Sequence, residues 1–166
     1  MIKIIDDFVD KEYFKKIEDM FYRDKNFPWF VNGVVDNQKY RQFTHMFHIE
    51  HKPNSYYFDN LIPLFDQLKV KALIKVKANY LWKTEKIIEH GFHTDTAQHI
   101  KDHEANWKTA VYYINTNNGY TKFDLDQKII NSKANRLVIF PANVRHTGST
   151  CTDKEERIVL NINYYD

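Results

Sequence analysis

The sequence predicts a mostly β, α+β fold: a sandwich or barrel of short strands supported by helices near the N-terminus. Val70-Lys-Ala-Leu-Ile74-Lys-Val76-Lys-Ala78-Asn-Tyr80-Leu-Trp82 alternates apolar and polar residues, the period of a half-buried strand. Beyond it, short apolar runs are separated by turn signals at Asn117-Asn-Gly119, residues 132–135 and Thr147-Gly-Ser. Aromatic residues make up 16% of the chain, and their rings suit the pleated surface of a sheet.

The 166 residues fit one domain large enough to bury a core. Its expected division is helical support and substrate loops over 1–69, then the strand-rich core over 70–166. The formal net charge of +2, from 24 basic and 22 acidic residues, argues against a nucleic-acid partner. No apolar run approaches the ~20 residues of a membrane span, and the N-terminus lacks a signal-peptide pattern, so no membrane partner is expected. Cys151 is the only cysteine, which excludes an internal disulfide and points to a reducing, cytoplasmic compartment.

Taken in order, Met1-Ile-Lys-Ile-Ile5 reads as a short strand. Asp10 is a candidate helix N-cap, with Val9 placed to staple against Phe14, and Phe14, Ile17 and Phe21 recur at helical spacing over residues 11–23. Trp29-Phe30-Val31 and Val34-Val35 suggest a strand pair about an Asn32-Gly33 hairpin turn. Phe43 to His51 holds three histidines, expected to line a cleft or lie on the surface rather than to form a second metal site. Tyr56 to Leu68 repeats a helical pattern with Asn54 or Ser55 as cap, and Pro63 kinks it or starts its later turn.

The chemistry centres on His93-Thr94-Asp95. On an extended segment the two outer side chains project to one face. His146 supplies a third donor, and two imidazoles with one carboxylate form the facial set of non-haem Fe(II) sites. His90, His93, His99 and His103 offer a rival zinc cluster, but Gly91 interrupts it, and a helix there would separate His93 from Asp95. Arg157 opens the apolar run Arg157-Ile-Val-Leu-Asn161-Ile-Asn163-Tyr-Tyr, where an unpaired guanidinium is costly.

Asn79-Tyr80, Thr109-Ala-Val-Tyr-Tyr113-Ile-Asn115, Gly119-Tyr-Thr121-Lys-Phe123 and Arg136-Leu-Val-Ile-Phe140 complete a series of blocks spanning residues 70–166. In order and spacing the series resembles the Fe(II)/2-oxoglutarate-dependent dioxygenases, in particular the prolyl-hydroxylase-like branch, and is similar to small members encoded by marine phages. The resemblance implies a double-stranded β-helix, a jelly-roll variant, with N-terminal helices buttressing one sheet. It implies Fe(II) on His93, Asp95 and His146, with 2-oxoglutarate and O2 as co-substrates, ascorbate as an optional addition, and succinate and CO2 as products. Arg157 then pairs with the far carboxylate of 2-oxoglutarate, for which a planar, permanently charged group is suited. Tyr113 and Tyr80 match pocket tyrosines of the family, Thr109 and Val111 share the face of Tyr113, and Asn161 shares that of Arg157. Asp95 stands where related halogenases carry a small residue, so hydroxylation is the expected reaction. Peptidyl proline is the narrow expectation for substrate, with Asn32 to Gln42, including Gln38, Tyr40 and Arg41, and the flanks of His90 to His103 as covering loops. Asn163 departs from the bulky aromatic of related prolyl hydroxylases. The alternatives are an oxygenase acting on a free amino acid or other small metabolite, a non-catalytic small-molecule binder on the same barrel, and a zinc-dependent hydrolase or isomerase. In a phage, the compartment would be the host cytoplasm.

Overall fold

The computed structural model describes residues 1–34, 37–95 and 106–166, with residues 37–39 described by their backbone alone. The elements run β1 (Lys3–Ile5), α1 (Lys11–Tyr22), β2 (Phe30–Val34), β3 (Asn37–Ile49), β4 (Lys52–Pro53), a 3-10 turn (Phe58–Leu61), α2 (Ile62–Leu68) and β5 (Ala72–Trp82). They continue with β6 (Lys108–Tyr113), β7 (Tyr120–Phe123), β8 (Ile129–Asn131), β9 (Arg136–Pro141), β10 (His146–Gly148) and β11 (Glu156–Tyr165). The main sheet has the order β1-β9-β6-β11-β5-β3-β2, with β4 added to β3, and the smaller sheet the order β10-β7-β8. Two isolated bridges, Glu89 to Ser149 and His93 to His146, lay the segment before residue 95 along the small sheet. This is the jelly-roll arrangement. Residues 1–69 add four strands to the main sheet as well as the helices.

The outer face of the main sheet is apolar. Val76, Ala78, Ala110, Tyr112, Ile158, Leu160 and Ile162 pack in one cluster with Ile17, Met20 and Phe21 of α1 and Leu64, Phe65 and Leu68 of α2. Each such aliphatic side chain contributes ~1.5–3 kcal/mol when fully buried. The Asp10 carboxylate caps α1 by accepting from Tyr13 N at 2.9 Å. Pro63 falls in the first turn of α2, where its missing N–H costs no helical bond. The inner face, toward the small sheet, holds a second cluster of Val111, Tyr113, Phe123, Val138, Phe140 and Val159.

Two local expectations are corrected. Asn32 and Gly33 do not turn the chain but lie within β2, in register with Gln42 and Arg41 of β3. The 13-residue β3 offers a pairing edge beyond that point, and the Asn32 amide is used across the strands, donating to Thr44 Oγ1 at 2.5 Å. Ladder bonds outweigh local turn propensity here. His45 and His48 are not surface residues. His45 is in regular register with Ala78, a register shift between Met46 and His48 brings His48 opposite Val76 on the same face, and both are buried. His45 bonds to Pro28 O and Ser55 Oγ, each at 2.7 Å. His45 does line a cleft, shared with Pro28, Phe30 and Tyr56. Among the described residues no helix is long and apolar enough to cross a membrane.

Candidate metal centre and a buried arginine

His93 and His146 face each other across a reciprocal pair of backbone bonds, His93 N to His146 O and His146 N to His93 O, both 2.9 Å. Their ring centroids are 4.7 Å apart. Asp95 is tethered by its own N–H to Ala142 O at 2.9 Å, and its Oδ atoms lie 4.0 Å from His93 Nε2 and 3.9 Å from His146 Nε2. One donor atom from each residue falls within 4.8 Å of the others. No such group of His, Cys, Asp or Glu other than this one occurs among the described residues.

The protons are arranged for ligation. His93 Nδ1 lies 3.2 Å from Gly91 O, and His146 Nδ1 lies 3.0 Å from Val144 O. A carbonyl only accepts, so each Nδ1 carries a proton, and in the neutral ring the lone pair then falls on Nε2, the atom nearest Asp95. Gly91 sits at φ 130°, a conformation that L side chains rarely adopt, and this turns its carbonyl toward the His93 ring. Burial lowers the His146 pKa more than the negative charge of Asp95 raises it, which favours the neutral, ligating ring. For Asp95, burial pushes the carboxyl up. His146 when protonated, Lys75, His93 when protonated and the Thr109 hydroxyl together outweigh it, so the pKa stays below the ordinary carboxylate value. Asp95 Oδ2 accepts from Thr109 Oγ1 at 2.8 Å and Asn163 Nδ2 at 3.2 Å, and Asn163 Nδ2 also reaches Thr109 Oγ1 at 2.9 Å. Two neutral imidazoles and an oriented carboxylate are a donor set that suits a divalent first-row ion such as Fe(II).

Arg157 lies on the same inner face. It is 2% exposed, its Nε donates to Ser132 Oγ at 2.8 Å, and its Nη2 donates to Thr121 Oγ1 at 3.4 Å. The Tyr113 ring lies under the guanidinium at 5.6 Å, and the Tyr113 hydroxyl donates to Thr121 Oγ1 at 2.7 Å. Space for the arginine is made by Gly119, where a Cβ would fall 2.6 Å from Arg157 Cδ. Neutral hydroxyls and a ring surround this cation, and no carboxylate among the described residues pairs with it. Burial lowers its pKa, yet a guanidinium keeps its charge. Among the described residues the pocket is short of one anion.

Of the residues expected from sequence, His93, Asp95, His146, Arg157, Tyr113, Thr109 and Val111 converge on the inner face. Asn161 joins them, in register with Val111 and Lys77, half-buried and with its amide unpartnered. Tyr80 does not. It pairs with Ile158 on the outer face, among Trp29, Phe43 and Trp82, with its hydroxyl 3.3 Å from Glu156 Oε2. The inner position beside it belongs to Asn79, because strand side chains alternate. Thr121 and Ser132, which hold Arg157, and Asn163, which holds Asp95, emerge only in three dimensions. His99 and His103 lie outside the described residues.

No family model matches the chain, and no curated protein sequence matches it. Solved structures do. A prolyl-4-hydroxylase from Pseudomonas putida superposes with a TM-score of 0.69 at 12% identity, covering 99% of this chain and 92% of that one. The 2-oxoglutarate complex of a viral collagen prolyl hydroxylase from Paramecium bursaria Chlorella virus-1 gives 0.63 at 14% identity, covering 99% and 96%. A non-haem α-ketoglutarate-dependent epimerase from nogalamycin biosynthesis gives 0.69 at 10% identity, covering 99% and 77%. The chain has the fold of the prolyl-hydroxylase-like 2-oxoglutarate/Fe(II) oxygenases.

Proposed function

We propose that the protein is an Fe(II)- and 2-oxoglutarate-dependent oxygenase that hydroxylates its primary substrate and releases succinate and CO2. The observation that carries this reading is Arg157, a buried cation lacking an anion, on the same inner face as a His-Asp-His donor set. A dicarboxylate with a chelating 2-oxo acid at one end and a carboxylate at the other complements both features. His93, Asp95 and His146 would hold the iron, which when bound supplies the redox chemistry of oxygen activation. Arg157, Thr121 and Tyr113 orient the far carboxylate by charge and hydrogen bonds. Thr109 and Asn163 keep the Asp95 carboxylate aimed inward, and Val111, Phe123, Val138 and Phe140 exclude water from the space between the sheets.

Peptidyl proline remains the narrow reading of substrate, supported by the prolyl hydroxylases among the similar folds. The expected covering loop over Asn32 to Gln42 is corrected at Tyr40 and Arg41, which lie within β3: the Tyr40 ring is 6.3 Å from that of His90, and Arg41, exposed, is in register with Gly33. The Gln38 side chain lies outside the described residues. The epimerase of the same fold shows that the architecture alone does not choose the substrate.

Anaerobic addition of Fe(II) and 2-oxoglutarate should give the weak visible charge-transfer band of a chelated ion. His93→Ala or His146→Ala should abolish it. A band that persists in both variants removes the His-Asp-His assignment, and with it the function.

A further inference from the structure

β5 carries two lysines that the proposed chemistry does not use. Lys75 is in register with Asn163 of β11, whose side chain bonds to Asp95, and Lys77 is in register with Asn161. Paired residues of an antiparallel ladder share a face, so both lysines belong to the inner wall, opposite the apolar Val76 and Ala78. Both act electrostatically on Asp95, and neither has a hydrogen bond or ion pair among the described residues. Lys77 is half-buried and keeps contact with solvent, as a side chain lining an open pocket does. Burial, with the like charge of Lys75 added, lowers its pKa to about 8 despite the opposing pull of Asp95.

The charge of the loaded centre makes the lysines conspicuous. With neutral imidazoles, a divalent ion and Arg157 balance Asp95 and the two carboxylates of 2-oxoglutarate. The centre is then neutral without the lysines, and their charge is left over inside a barrel where an uncompensated cation is unfavourable. Around them the wall is polar: among the described residues Asn161 has no partner, and the buried Asn79 Oδ1 and Asn163 Oδ1 accept no bond. We infer that Lys75 and Lys77 form an oxyanion-binding wall beside the metal centre, which takes a carboxylate or phosphate group of the primary substrate. This rests on the oxygenase reading, since it assigns Arg157 to the co-substrate and leaves the lysines for the substrate. It narrows the primary substrate to one that carries an anionic group, which a prolyl peptide provides only through a carboxylate or phosphate near the proline.

The test uses the full chain loaded with Mn(II) in place of Fe(II) and saturated with 2-oxoglutarate, so that the Arg157 site is filled. Inorganic phosphate is titrated in, and its 31P relaxation reports binding close to the paramagnetic ion. The parent should show saturable enhancement, at least about tenfold weaker in affinity for Lys77→Met. Lys75→Met/Lys77→Met should lose it, and Lys77→Arg should retain it. Acetate, followed through its methyl protons, is the second arm, and the tighter of the two probes assigns phosphate or carboxylate as the group recognised. Retained binding of Mn(II) and 2-oxoglutarate shows that each variant is folded, and Lys77→Gln replaces Lys77→Met if that variant fails this check. Absence of saturable enhancement for both probes in the parent, or enhancement unchanged in the double variant, overturns the inference. Failure of the parent to bind Mn(II) and 2-oxoglutarate at all overturns the oxygenase reading instead, and the two failures are separate signals.

Discussion

The two faces of β11 carry unlike residues. Ile158, Leu160, Ile162 and Tyr164 point outward into the helix-covered cluster, all apolar or ring-bearing and all buried. Arg157, Val159, Asn161 and Asn163 point inward, and three of these four are polar. One face has every group satisfied by packing. The other holds a guanidinium bonded only to hydroxyls, an amide without a partner and an acceptor without a donor among the described residues. A period-two strand thus separates the residues that stabilise the fold from those that wait for ligands, within a single run of ten residues.

Breaking the outer face should cost stability and little else. Leu160→Ala removes a fully buried side chain from the centre of that cluster and should destabilise by about 2–5 kcal/mol in urea denaturation. The folded fraction should keep its affinity for 2-oxoglutarate. An unchanged denaturation midpoint would show that the two faces do not divide their roles.

Breaking the inner face should have the reverse signature. Arg157→Met should weaken 2-oxoglutarate by about 2–5 kcal/mol, or about thirtyfold to several thousandfold, because the co-substrate carboxylate is left buried without its partner. Folding stability of the ligand-free chain should be unchanged or higher, since an unpaired buried charge is replaced by an apolar side chain. Calorimetric titration and thermal unfolding read the two quantities separately. A variant that binds 2-oxoglutarate like the parent returns Arg157 to a structural role.

His90 sharpens the comparison through pH. Burial, then the positive potentials of Arg157 and His93, lower its pKa to about 4. In the unfolded chain histidine titrates near 6.5, so as pH falls the unfolded state takes up this proton first. Stability is therefore fully present above about pH 6.5 and lost as pH falls toward 4, by about 3 kcal/mol from this group alone. Denaturation of the metal-free chain across that window should show the slope, and His90→Gln should flatten it. The smallest effect is at Thr109→Val, which removes one of two donors to Asp95 Oδ2 and should weaken metal binding about tenfold with the fold intact. Equal metal affinity in that variant would make Asn163 sufficient to orient the carboxylate.

Much of this was legible in sequence where a signal is local. The α1 cap at Asp10, the start of α2 near Pro63 and the β5 alternation need only a few neighbouring residues to be read. Asn32-Gly33 was misleading because its turn propensity is also local, whereas its pairing with β3 is not. Tyr80 was misplaced by one position. In Ala78-Asn-Tyr80-Leu-Trp82 both parities carry large or polar side chains, so periodicity does not say which parity faces the pocket. Lys75 and Lys77 were visible as the polar half of a strand, but their meaning depended on which face turned inward.

By itself, the sequence determined the kinds of chemistry the chain possesses: two histidines and a carboxylate able to ligate, an arginine where a charge is costly, and strands with two unlike faces. These follow from residue identity and spacing along a few positions. Tertiary structure decided which side chains meet. His93 reaches His146 only through the bridge that closes the small sheet, and Arg157 reaches Thr121 and Ser132 only because those strands fold back over β11. It also decided, through the register of Ile158 on Tyr80, that the tyrosine faces the helices and the asparagine beside it faces the site. A one-residue change of register exchanges the two faces of a strand, and register is set by partners dozens of residues away.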